Sequence, residues 1–214
     1  MKVLLFGASG HIGSGIAREL LSRGHVVTGV TRKGTEDADI PAGLTRVTGD
    51  ATSALTVAEL AEGHDAVASA VGPRAGVDND EEILVGATHA LIEGLRKTDV
   101  RRLVVLGGGG SLEVSPGVRL VDTPNFPAMW KANALAQIAS LDLYREVHDL
   151  DWTYISPAAL IEPGERTGAY RVGGDRFMVD GEGHSRISIE DYAVAFVDEL
   201  EKGEAVRRRI SVAY

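Results

Sequence analysis

Val3-Leu4-Leu5-Phe6-Gly7-Ala8-Ser9-Gly10-His11-Ile12-Gly13 is the stretch whose reading decides the fold. Four apolar residues run into a loop with glycines three apart. Beyond it, Ile16, Ala17, Leu20 and Leu21 recur at helical spacing and Gly24 supplies a stop. A second apolar run, His25 to Thr31, follows at once. Strand, glycine turn, helix and strand in this order form a βαβ unit, whose two strands lie parallel. In such a unit Gly7 permits the tight turn, Gly10 lets the backbone approach a ligand, and Gly13 lets the helix lie close on the strand. The first turn of a helix has unpaired N–H groups and the positive dipole end, so this loop suits an anion, and a dinucleotide pyrophosphate in particular. The alternative is a turn that serves the fold alone.

The pattern continues outward. Lys33 to Gly43 reads as a polar loop, and Leu44 to Val47 as a short strand ending at Gly49-Asp50. A helix is expected from Ser53 to Glu62, a strand from Asp65 to Ala70, and a helix from Asn79 to Lys97 with Ile83, Leu84, Ala87, Leu91 and Leu95 on its apolar face. Arg101 to Leu106 is the fifth strand. Gly107 to Gly110 is loop, because no regular element tolerates four glycines. An irregular stretch with Pro116, Pro124 and Pro127 leads to a helix over Ala128 to His148 and a strand over Asp151 to Ser156, broken by Pro157. Ile161 to Gly183 is rich in Gly, Pro and charge, with short alternating pieces at Ala169 to Val172 and Phe177 to Val179. It reads as a small substrate-side excursion. A helix from Ile189 to Lys202 and a strand from Arg208 to Ala213 close the chain. The expectation is a Rossmann-type α/β fold: one domain over residues 1–214, with a doubly wound, mostly parallel sheet and helices on both faces.

Composition narrows the function classes. The chain of 214 residues is 44% hydrophobic and 25% charged, with a formal net charge of -9. An acidic surface repels phosphate backbones, which argues against nucleic acid as a partner. No apolar run approaches the roughly 20 residues that span a bilayer, and the opening run is too short for a signal peptide. Neither a membrane partner nor export is expected, and a cytoplasmic location is the default. Without cysteine, thiol catalysis and cysteine-ligated metals are excluded. The six histidines show no metal-ligand spacing, so no metal is expected.

Ligands in open α/β sheets bind beyond the carboxyl ends of the strands. The second strand ends in Thr31-Arg32-Lys33, where an NAD-specific site would place Asp or Glu for the ribose 2′-hydroxyl. Two cations there suit a 2′-phosphate, so NADP(H) is preferred and NAD(H) remains possible, with Glu36 and Asp37 nearby. The competing reading is a solvated basic turn. Asp50-Ala51 is placed to meet the adenine, although Asp50 serves equally well as a cap or turn residue. Ala70-Val71-Gly72 are small enough to let a cofactor pass, or simply end a strand.

Further segments carry a family resemblance. Gly7 to Gly13, Gly49-Asp50-Ala51, Gly107-Gly108-Gly109-Gly110-Ser111-Leu112-Glu113-Val114 and Ser156-Pro157-Ala158-Ala159 resemble the atypical short-chain dehydrogenase/reductases. The nearest group is the NAD(P)H-binding set often called NADH-flavin reductases, akin to biliverdin reductase B and the NmrA-like proteins. Leu120-Val121-Asp122-Thr123-Pro124, Glu162 to Gly168 and Ser185 to Ala193 extend the likeness over nearly the whole chain. The resemblance implies that Gly7, Ser9, Gly10, His11, Ile12 and Gly13 wrap the pyrophosphate and that Arg32 and Lys33 take the 2′-phosphate. It implies that Ala70, Val71 and Gly72 line the adenosine and ribose path, and that Gly107, Gly108 and Ser111 flank the nicotinamide. Lys131 would approach the nicotinamide ribose, and Ser156, Pro157 and Ala158 would close over the ring.

The catalytic pattern of that family departs here. Ser111 and Lys131 match its Ser and Lys and are the candidate catalytic residues, but the position of its Tyr holds Pro127. Trp130 nearby cannot exchange a proton at usable pKa. Tyr144 and His148 have a comparable spacing but read as surface or packing. Hydride transfer to a flat conjugated acceptor such as a flavin or quinone needs no such Tyr, and Phe126 and Trp130 offer either a stacking wall or plain packing. The expectation is an NADPH-dependent reductase of a small-molecule acceptor, monomeric or homodimeric. The alternatives are a non-catalytic NmrA-like redox sensor and a sugar-nucleotide epimerase or dehydratase.

Overall fold

The computed structural model describes residues 1–32, 41–72 and 80–214. The opening stretch forms strand β1 (Lys2–Phe6), helix α1 (His11–Ser22) and strand β2 (Val26–Thr31), with Gly24 at φ +80 where the helix turns back. Strand β3 (Thr45–Thr48), helix α2 (Ala54–Ala61) and strand β4 (Ala66–Ser69) follow. The hydroxyl of Ser53 caps α2 by accepting the Thr56 N–H. Helix α3 (Asp80–Leu95) leads to β5 (Arg102–Leu106).

Residues 113–119 depart from the irregular stretch that the prolines suggest. They form a hairpin of β6 (Glu113–Ser115) and β7 (Val118–Arg119), because Pro116 and Gly117, the latter at φ +76, make the turn. Helix α4 (Ala128–Arg145) is followed by β8 (Asp151–Pro157), which continues through the expected break at Pro157. The ladder between β5 and β8 ends at Leu106 and Ile155, so the N–H that proline lacks falls beyond the last paired position on that side. In the excursion, β9 (Leu160–Glu162), β10 (Arg171–Gly173) and β11 (Arg186–Ser188) are strands, whereas residues 177–179 are not. The Phe177 N–H instead donates to the Glu113 carbonyl and ties the excursion to the β6–β7 hairpin. Helix α5 (Ile189–Lys202) spans its expected residues, capped by the Ser188 hydroxyl and by Gly203 at φ 63, and β12 (Arg208–Ala213) follows.

Among the described residues the main sheet has eight strands in the order β10-β12-β8-β5-β4-β1-β2-β3. All pairings are parallel except β10 with β12. Helices α1 and α5 cover one face around Leu5, Ile16, Tyr192 and Phe196. Helices α2, α3 and α4 cover the other around Phe6, Leu91, Leu103, Tyr144 and Tyr154. This is a Rossmann-like doubly wound α/β fold. The chain runs to β2 and β3 on one side of β1 and to β4, β5 and β8 on the other. The strand order therefore reverses at β1, and a crevice opens at its carboxyl end. No described helix is long and apolar enough to cross a membrane.

Candidate dinucleotide site

The crevice is built on the β1–α1 loop. Gly7 has φ +78, and a Cβ there would stand 2.8 Å from the Ala70 carbonyl carbon and oxygen. A Cβ on Gly13 would collide with the Gly7 carbonyl oxygen. Both glycines are therefore demanded by the fold itself. Gly10 differs. Its backbone is extended, with φ -75 and ψ 162, and its Cβ would meet only the Gly7 oxygen at an ordinary 3.5 Å. No contact among the described residues forbids a side chain at Gly10, yet it lines the crevice as the N-cap of α1. It makes no side-chain cap, and no acidic residue occupies the first turn. The N-terminus of α1 thus faces the crevice with its dipole uncompensated.

A cavity of about 380 Å³ extends from this loop over the ends of β2 and β3. It brings together Gly7, Ser9, Gly10, Arg32, Asp50, Ala51, Ala70, Val71 and Gly72 of the expected set. Sequence reasoning missed Thr52 in this wall and assigned Ile83 and Ala87 of α3 to the core only. The spacing of Asp50 and Thr52 was a readable turn signal. The Asp50 carboxylate accepts the Thr52 N–H at 2.9 Å and the Thr52 hydroxyl at 2.7 Å. Those bonds, with the positive charge of Arg32, hold the Asp50 carboxyl below its usual range. Asp50 is therefore both a turn residue and part of the wall. Arg32 is exposed at the rim, and Lys33 lies outside the described residues. His11 and Ile12 open α1, Ile12 packing against the core under α1 and β1 and His11 exposed.

On the other side of β1 the glycine run is packed from within. A Cβ on Gly107 would enter the Tyr154 ring, one on Gly108 would stand 2.8 Å from the Gln137 Cβ, and one on Gly110 would stand 2.6 Å from the Ala134 Cβ. Each of these glycines lets a strand end or loop approach α4 or β8. Ser111 is half-buried and lies outside the cavity lining. Its hydroxyl accepts from the buried Arg209 guanidinium at 3.0 Å, and Arg209 also pairs with Asp175. Nothing in the run Arg207-Arg208-Arg209 distinguishes the buried member except strand alternation.

Lys131 and Trp130 are exposed near the start of α4. Ser156, Pro157 and Ala158 are buried at the end of β8, and the Ser156 hydroxyl has no partner among the described residues. Tyr144 is buried against Trp152 and Tyr154, and burial pushes its phenol well up, while His148 is exposed. Among the described residues no three His, Asp or Glu side chains come together as metal ligands.

A pyridine dinucleotide fits this donor set: an anion-ready helix start, a glycine with open space before it, and a cation at the rim. The comparisons with known proteins agree. The chain is 47% identical to a candidate exported protein from Burkholderia pseudomallei, each covering 100% of the other, with a TM-score of 0.90. It is 36% identical to a candidate epimerase from Bacteroides thetaiotaomicron over 100% of this chain and 96% of that one, with a TM-score of 0.90. A candidate NADH-flavin reductase from Streptococcus pneumoniae TIGR4 matches at 36% identity over 100% of this chain and 99% of that one, with a TM-score of 0.88. A family model described as NAD(P)H-binding matches residues 7–200, and the chain belongs to that NAD(P)H-binding family.

Proposed function

We propose that the protein is an NADPH-dependent oxidoreductase that delivers hydride to a flat conjugated small molecule, a flavin or quinone by class. The observation that carries the reading is Gly10: a crevice-facing glycine at an uncapped helix start that no contact among the described residues requires. The requirement then comes from a ligand lying against the backbone. The N–H groups at the start of α1 hold the pyrophosphate, with Gly7, Ser9, His11, Ile12 and Gly13 shaping the loop around it. Arg32 and Lys33 receive the 2′-phosphate, and Asp50, Ala51, Ala70, Val71 and Gly72 wall the adenosine.

When bound, the reduced nicotinamide supplies a hydride, leaving oxidised cofactor. We assign Gly107, Gly108, Ser156, Pro157 and Ala158 to that side on the family resemblance. Ser111 and Lys131 are the candidate catalytic residues, and Ser111 is the better held of the two. Arg209 donates to its oxygen, which leaves the hydroxyl proton free to be donated. No Tyr stands where hydroxyl chemistry would need one, since Pro127 occupies that position. An acceptor that takes hydride directly and its proton from water avoids that need.

The same absence favours the second reading, a cofactor-binding redox sensor. Titration with NADPH and NADH, followed by FMN, riboflavin and a quinone, separates the two. Binding with oxidation at the reduced-nicotinamide absorbance band supports the reductase, and binding without turnover of any acceptor supports the sensor. The protein acts in the cytoplasm as a monomer or homodimer on a small-molecule acceptor, without nucleic acid or membrane partners.

A further inference from the structure

We infer that Gln137 is a cofactor-binding residue whose side-chain amide donates a hydrogen bond to an oxygen of the nicotinamide riboside half of the dinucleotide. The inference rests on the reading of the crevice given above. Gln137 lies midway along α4 and is only 8% exposed. Its backbone carbonyl and its Oε1 both face the Tyr154 hydroxyl, at 2.9 Å and 2.5 Å. A separation of 2.5 Å suits O–H···O and is too short for N–H···O, so the amide oxygen faces the tyrosine. Burial pushes the Tyr154 phenol far above its ordinary range, so its proton stays in place and the orientation does not change with pH.

The amide nitrogen consequently points the other way. It lies 3.7 Å from the position a Gly72 Cβ would take, at the crevice wall beyond β4, and it donates to no residue among those described. Although the residue is buried, this nitrogen is not among the sealed, unpartnered atoms of the described residues, so its donor is open on the crevice side and a ligand oxygen can accept from it.

The strand order says which half of the ligand passes there. The cavity over β2 and β3 is the adenosine side of the reversal at β1, and the pyrophosphate sits at the start of α1. The remaining half must continue over β4 and β5. Gln137 sits between their ends, against Gly72 and Gly108. Helix geometry separates it from Lys131: six residues along α4 turn the side chain through about 240°, which leaves Lys131 on an exposed face.

The test compares two ligands. Adenosine 2′,5′-bisphosphate carries the adenosine half only, and NADPH carries both. Gln137→Met keeps the length that packs on Gly108 and removes the donor. We expect it to raise the NADPH Kd about 3- to 10-fold, the effect of one lost hydrogen bond, and to leave the bisphosphate Kd within about twofold. Tyr154→Phe, which frees the amide to turn, should weaken NADPH by a smaller factor and spare the bisphosphate. Gln137→Glu replaces the donor with an acceptor and serves where Met impairs folding, read against its melting temperature. Equal weakening of both ligands would make Gln137 a packing residue and overturn the inference, as would an unchanged NADPH Kd. A wild-type protein that binds neither ligand would overturn the dinucleotide reading itself.

Discussion

Two glycine runs meet at the carboxyl ends of the same sheet, and they are glycine for different reasons. Along Gly107, Gly108 and Gly110 every missing side chain makes room for the protein's own atoms: the Tyr154 ring, Gln137 and Ala134. Along the β1–α1 loop, Gly7 and Gly13 do the same, but the space before Gly10 belongs to none of the described residues. A glycine that packing explains speaks of folding. One that packing leaves unexplained, at a helix start facing a cavity, speaks of a ligand. The contrast separates two effects that a sequence shows identically, and substitutions can break it.

The largest effect is expected at Gly10. Gly10→Glu places bulk and negative charge at the proposed phosphate position, and NADPH affinity should fall more than about 100-fold, or about 2.7 kcal/mol. The melting temperature should move by less than about 2 °C, since its Cβ meets no described atom closer than 3.5 Å. A large loss of stability with near-normal binding would reverse the assignment of Gly10. Next is Gly107→Ala. Its new Cβ enters the Tyr154 ring, and overpacking of this kind costs about 1–3 kcal/mol. For a chain of this size that lowers the melting temperature by about 2–12 °C in a thermal scan. An unchanged midpoint would mean that Tyr154 yields readily, and the internal explanation for the second run would fail. A smaller and more selective effect is expected of Arg32→Glu: NADPH affinity down about 10-fold and NADH affinity within about threefold. Equal losses for both cofactors would remove Arg32 from the 2′-phosphate.

The sequence carried the first run further than the second. Strand, glycines and helix in Val3 to Leu21 follow one another with periods that leave few alternatives, and the bounds of α5 emerge complete because Ser188 and Gly203 are strong caps. The cavity wall was legible for the same reason: its residues sit at strand ends, which periodicity locates. The region around the second glycine run was not. The groups around Ser111 and Gly108 come from α4, from Asp175 and from Arg209 on β12, elements remote in sequence that tertiary packing alone brings together. Pro157 misled because a proline breaks a strand only where its N–H is needed, and the end of β5 lies one step short of it. Ser111 was found by resemblance, but its bond to Arg209 spans 98 residues and leaves no local signature.

The smallest expected effect tests a residue that belongs to both classes. Asp50 lines the cavity, as Gly10 does, and it holds its own turn through Thr52, as Gly107 serves its own strand. Its carboxyl is held below the ordinary value near 4, chiefly by the Thr52 N–H and hydroxyl. A depressed carboxyl contributes stability above the unfolded-state pKa and loses it as the pH falls through the lower folded value. Asp50→Asn keeps an oxygen for Thr52 and removes the charge. The cost at pH 7 should be only a few tenths of a kcal/mol, because the group is largely solvated. The gap from wild type, read from melting curves at pH 7, 5 and 3, should close below about pH 4. A gap that persists at pH 3 would mean that something other than the carboxylate charge is responsible. Binding then sorts the two roles. If Asp50 acts through its turn, the asparagine changes NADPH affinity less than about threefold. A loss beyond about 10-fold would place its charge in contact with the ligand, beside Gly10 and apart from the glycines that serve the fold.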